Sequence, residues 1–77
     1  MKRRDLLLGD IFSLENDTYL VTYVGKYGLI AYSLTRHLEG SISFSTDTYG
    51  KSHPILVTRG NFTSIQDVQN AYPEFFI

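Results

Sequence analysis

Cysteine is absent from the 77-residue chain. That absence removes disulfide bridges, thiolate zinc sites and a cysteine nucleophile together. Tryptophan is missing as well, and proline occurs only twice. Neither sign of charge is in excess: seven lysines and arginines against eight aspartates and glutamates leave a formal net charge of −1. Affinity for a nucleic-acid backbone comes mainly from lysine and arginine displacing counterions, so a dedicated DNA- or RNA-coating protein is disfavoured, although a local basic patch is not. No apolar run approaches the roughly 20 residues that a membrane-spanning helix needs. Met1-Lys2-Arg3-Arg4 and then Leu6-Leu7-Leu8 have the order of a secretory signal, but three leucines fall far short of its apolar segment, and Asp5, Gly9 and Asp10 interrupt the run. The expectation is a cytoplasmic protein with no membrane association.

What the chain does contain is core-forming material. Hydrophobic residues make up 43% of it, and six tyrosines and five phenylalanines supply the rings, which is too apolar and aromatic for a disordered chain. Its length leaves room for one domain, 1–77, in which a small core must hold alone or with a partner chain. Tyrosine suits such a domain because it buries a ring face while its hydroxyl stays hydrated or bonded.

Period-two patterning points to strands. Gly9-Asp10 reads as a turn into Ile11–Leu14, and Glu15-Asn16-Asp17 supplies turn chemistry after it. Residues 18–24 are all β-branched, aromatic or leucine, which predicts a strand with Tyr19, Val21 and Tyr23 on one face and Leu20, Thr22 and Val24 on the other. Gly25-Lys26-Tyr27-Gly28 is a compact turn, and residues 29–34 return, giving a β-hairpin over 18–34. Ser41–Phe44 alternates, with Ile42 and Phe44 facing inwards. A loop over 45–54 leads to a last strand at 55–59, because Pro54 cannot donate to a ladder.

One helix is predicted, near the C-terminus. Thr63 is placed as its N-cap with Gln66 completing a capping box, and Ile65, Val68 and Tyr72 share a face. Pro73 stops it at about Ala71, since the residue before proline avoids helical geometry. The apolar end Phe75-Phe76-Ile77 implies docking against the body or against a second chain. Together these elements predict a mainly β fold: a small SH3-like barrel or strongly bent antiparallel sheet of about five strands with a short C-terminal helix. The opening Leu8-Gly9-Asp10-Ile11-Phe12, a turn and then Tyr19-Leu20-Val21 resembles the start of many SH3-like small barrels over about the first third of the chain. In size and style the chain is also similar to small accessory proteins encoded by bacteriophages. Neither resemblance carries over a binding or catalytic residue.

Several residue groups imitate chemistry without its context. Gly50-Lys51-Ser52 matches the end of a phosphate-binding loop, but Ser45 stands where the first glycine belongs, and Pro54 and a strand follow instead of a helix. His53, Ser52 and Asp47 have the residue types of a hydrolytic triad, yet neighbours in one loop supply neither the mutual geometry nor an oxyanion hole. His37, Glu39, Asp47 and His53 match no standard zinc spacing. Asn16-Asp17-Thr18 and Asn61-Phe62-Thr63 are glycosylation sequons that read better as a turn and a helix cap. No catalytic residue, cofactor or metal is expected.

The remaining constellation is aromatic and basic. Tyr23, Tyr27, Tyr32 and Tyr49 occur near Lys26, Arg36, Lys51 and Arg59, and with Phe75 and Phe76 they form the candidate partner-binding set. Tyrosine and arginine are frequent anchors at protein interfaces. The same pairing on a small barrel also stacks bases and holds phosphates. Against both stands the plain reading of strand tyrosines as good sheet formers packing on their neighbours. A non-enzymatic module that binds a host protein, or itself as a homo-oligomer, is the first functional expectation. Nucleic-acid binding is the second.

Overall fold

The computed structural model describes residues 6–36, 39–45 and 54–76. Within these residues five strands form one antiparallel sheet: β1 Ile11–Leu14, β2 Asp17–Val24, β3 Gly28–Ser33, β4 Ser41–Ser45 and β5 Ile55–Thr58. The order across the sheet is β4-β3-β2-β1-β5, so the first four strands meander and the last returns beside the first. β4 and β5 are edges, and of the two architectures that the sequence allows, the open sheet is the one adopted. A radius of gyration of 11.3 Å is close to the roughly 11.5 Å of a compact chain of this length.

Local chemistry sets the turns. Glu15 and Asn16 take left-handed backbone (φ 50° and 73°) between Leu14 and its partner Asp17, a two-residue hairpin turn in which asparagine is at ease. At the β2–β3 turn the Gly25 amide donates to the Gly28 carbonyl at 2.8 Å.

Alternation builds the core. Phe12, Leu14, Tyr19, Val21, Leu29, Ala31 and Phe44 come from four strands onto one face, with Leu6 buried among them and Ile42 and Leu56 packed against them. Three rings lock its centre: Phe12 stacks on Tyr19 at 5.3 Å, and Phe44 meets Phe12 and Tyr19 edge-on at 5.9 and 5.1 Å. Burial holds the Tyr19 hydroxyl above its usual pKa near 10, and the Asp17 and Glu39 carboxylates push it the same way.

One strand departs from the expected alternation. Val21 pairs with Ala31 and Tyr23 with Ile30, leaving Thr22 out of the register as a bulge. The Thr22 hydroxyl donates to the Ile30 carbonyl at 3.1 Å within that irregularity. An inserted residue reverses every side chain beyond it. Tyr23 therefore does not share a face with Tyr19 and Val21, as period two predicts, but lies on the opposite face with Ile30.

That opposite face carries the helix α1, Ile65–Ala71, which packs on β2. Leu20 on β2 and Val68 on α1 are both completely buried, outside the main core cluster. Seven residues are too few for a helix to persist alone in water, so packing and capping hold it. The cap is Ser64, one residue later than expected: its Oγ accepts from the Asp67 amide at 3.2 Å, while the Thr63 hydroxyl donates to the Asp67 carboxylate at 3.1 Å. Gln66 bonds forward to Asn70 instead of closing a capping box. Pro73 ends the helix after Ala71 and opens a 3-10 turn, Pro73–Phe75.

A buried carboxylate ties the segment before β1 to the segment after β5, its neighbour in the sheet. Asp10 is fully buried; its Oδ2 accepts from the Leu7 amide and its Oδ1 from the Gly60 amide, each at 2.8 Å, and Arg59 Nε lies 3.5 Å from Oδ2. Its backbone carbonyl accepts from Val21, and the Gly9 amide donates to the Val21 carbonyl. Gly9 has φ 86°, and a Cβ on Gly60 would collide with the Gly9 backbone, so glycine at both positions permits the approach.

Candidate partner-binding surface

The turn end of the β2–β3 hairpin gathers three of the candidate residues. Tyr23 is 58% exposed and Tyr27 76%, and Lys26 Nζ sits 5.5 Å from the Tyr27 ring centroid in a cation–π contact. Val24, the next residue of β2, and Ile65 at the start of α1 are also exposed. Three open depressions meet at Tyr23. The first, about 420 Å³, runs between Tyr23, Tyr27, Ile30 and Ser43. The second, about 430 Å³, runs between Tyr23, Ile30, Ser41, Ile65 and Phe76. The third, about 380 Å³, lies between Tyr23, Val24, Phe62 and Ile65. The Thr22 bulge places Tyr23 opposite Ile30 on the helix-bearing face, with its ring close beside Gly25, and so creates this junction.

The other candidates lie elsewhere. Tyr32 is half-buried on the helix-bearing face, its ring 6.0 Å from that of Phe76, which docks there. Phe75 is half-buried beside Tyr72, whose ring also meets Phe62 edge-on. Of the two dockings open to the C-terminal phenylalanines, these contacts are with the chain's own body. Arg36 follows β3 at the far end of the hairpin from Lys26. Its Nε lies 3.4 Å from Asp17 and its Nη1 3.5 Å from Glu39, while Thr35 donates to the same Asp17 oxygen. Arg59 belongs to the Asp10 junction. Tyr49 and Lys51 lie outside the described residues, as do His37, Asp47, Gly50, Ser52 and His53 of the rejected phosphate-loop, triad and metal readings.

Residues that the sequence reading did not select complete the surface: Val24, Ile30, Ile65, Ser41 and Ser43. Ile65 reads from helical spacing as a core position beside Val68, yet it is 43% exposed while Val68 is completely buried. The signal for Ile30 and the serines was present as alternation, since Leu29, Ala31 and Phe44 claim the core and leave these to the other face. Among the described residues no group of three or more potential ligands could hold a metal ion, and no helix is long and apolar enough to cross a membrane. No family model, curated protein or solved structure matches the chain.

Proposed function

We propose that the chain is a non-enzymatic binding module that recognises another protein through the turn end of the β2–β3 hairpin. The observation that carries this reading is the cluster of exposed Tyr23, Val24, Tyr27 and Ile65 around three adjoining depressions. Scattered surface apolar residues need no explanation, whereas a contiguous set centred on aromatic rings is the composition of an interface core. Tyrosine contributes a large contact area with little side-chain entropy to lose, which favours Tyr23 and Tyr27 as anchors.

Nucleic-acid binding draws less support. Arg36 and Arg59 each face a carboxylate, and they lie apart from Lys26. A phosphate-tracking groove needs its cations along one path.

The test is affinity capture from the native host with the full chain and with the Tyr23→Ala/Tyr27→Ala double variant. A protein retained by the first and lost by the second, with the circular dichroism of the two alike, supports the reading. Retention of the same proteins by both would remove it.

A further inference from the structure

The two edges of the sheet are not equally protected. β5 is interrupted by a register shift in which Val57 is the extra residue, and Pro54 precedes it. Both are devices that discourage a further strand from adding. β4 has neither. Its register with β3 is unbroken from Gly28↔Ser45 to Tyr32↔Ser41, and Ser41–Ser45 contains no charge and no proline.

The direction of its backbone groups follows from one bond. The Ser33 amide donates to the Gly40 carbonyl at 3.0 Å, one pair beyond Tyr32↔Ser41 in the same register. Antiparallel pairs alternate between bonded and non-bonded. Ile42 and Phe44 therefore spend their N–H and C=O groups on β3, and those of Ser41 and Ser43 point away from the sheet. Among the described residues no strand lies on that side.

The side chains of the same serines lie on the helix-bearing face. Phe44 and Ile42 turn into the core, while Ser41 and Ser43 are exposed opposite Tyr32 and Ile30. Ser43 borders the depression beside Tyr27, and Ser41 borders the one beside Phe76. An added strand would run about 4.8 Å beyond β4. Its residues opposite Ser43 and Ser41 would be two apart and on the depressions' face. With only serine between, a large side chain at each position leans across into one depression.

On the reading that this surface binds protein, we infer that β4 accepts an extended segment of the partner as a sixth strand, with large apolar side chains at two alternate positions filling the depressions either side of Ile30. Backbone bonds to Ser41 and Ser43 supply affinity, and the two depressions supply selectivity.

The experiment selects a displayed library of random short peptides on the full chain. Enriched peptides are then measured on the wild type, on Ser43→Pro, Ser43→Tyr and Ser43→Ala, and on Tyr23→Ala. Proline removes the outward N–H at a position whose N–H serves no ladder bond, and Ile42 before it is already extended. Tyrosine leaves the backbone intact and fills the gap beside Ile30, so the test does not hang on one variant's folding. The expected result is enrichment of apolar residues at alternate positions. Binding should weaken at least about tenfold in Ser43→Pro and Ser43→Tyr, and change by less than about twofold in Ser43→Ala. Peptides without alternation, equal binding to the wild type and all three Ser43 variants, or no enrichment would overturn the inference. Peptides lost on Tyr23→Ala but kept by Ser43→Pro and Ser43→Tyr would overturn it while leaving the docking surface standing.

Discussion

Tyr23 lies directly opposite Ile30, because Thr22 drops out of the β2–β3 register one residue earlier. That offset moves an aromatic ring from the core face to the face that bears the helix, where three depressions converge on it. A local irregularity thus produces the surface on which the proposed function rests. Bulges re-aim side chains in this way at sites of use.

Truncating the ring should separate binding from stability. Tyr23 is more than half exposed, so Tyr23→Ala is expected to cost less than about 1 kcal/mol of stability in urea unfolding. Loss of an interface anchor costs more than about 2 kcal/mol of binding. Isothermal titration with a captured partner should show that contrast; equal losses in both measurements would make Tyr23 a packing residue.

The Asp10 carboxylate reaches across fifty residues to the Gly60 amide, and its removal should be severe. Asp10→Ala leaves the Leu7 and Gly60 amides without their acceptor, and the loss expected is about 3–5 kcal/mol. Asp10→Asn retains one side-chain acceptor and should cost about half as much. Denaturant midpoints rank the three proteins wild type, Asn, Ala; an alanine variant as stable as the wild type would show that the junction holds nothing.

Alkali should weaken the fold through Tyr19. In the unfolded chain its hydroxyl ionises near 10, and in the folded protein only at higher pH. As pH rises past 10 the unfolded state gives up this proton first, so stability falls from there through the folded value. Tyr19→Phe keeps the ring among Phe12 and Phe44 and removes the ionisation. Its urea midpoint should decline less steeply than that of the wild type between about pH 9 and 11; parallel declines would assign the loss to other groups.

Helix capping offers a comparison between adjacent residues. Ser64→Ala removes the acceptor for the Asp67 amide and should cost about 1 kcal/mol. Thr63→Ala removes only an exposed bond to the Asp67 side chain, and its cost should be a few tenths of a kcal/mol, about what exposed helix pairs contribute. Thermal melts of the two variants decide which residue is the cap.

The hairpin was legible because its two strands have a plain period and glycine-bounded turn chemistry, both local properties. Phe44 and Ile42 were legible for the same reason. The face of Tyr23 was not, because a bulge leaves no mark in a run of uniformly good strand formers. Thr63 and Ser64 are both capping residues, so composition alone could not choose between them. The roles of Asp10, Arg36 and Arg59 depend on partners brought together by the fold: Gly60 lies fifty residues from Asp10, and Asp17 precedes Arg36 by the whole hairpin. The candidate surface was visible as a tyrosine-rich hairpin, but its other half comes from α1 and β4. Only the fold brings Ile65 and Phe76 beside Tyr23 and Ile30.

The most direct test of docking at the hairpin end and the β4 edge is amide hydrogen exchange of the full chain, alone and bound to a captured partner, resolved by residue. New protection is expected over residues 23–30 and at the Ser41 and Ser43 amides, with β1 and β5 unchanged. Protection confined to β1, β5 or the Asp10 junction would contradict it.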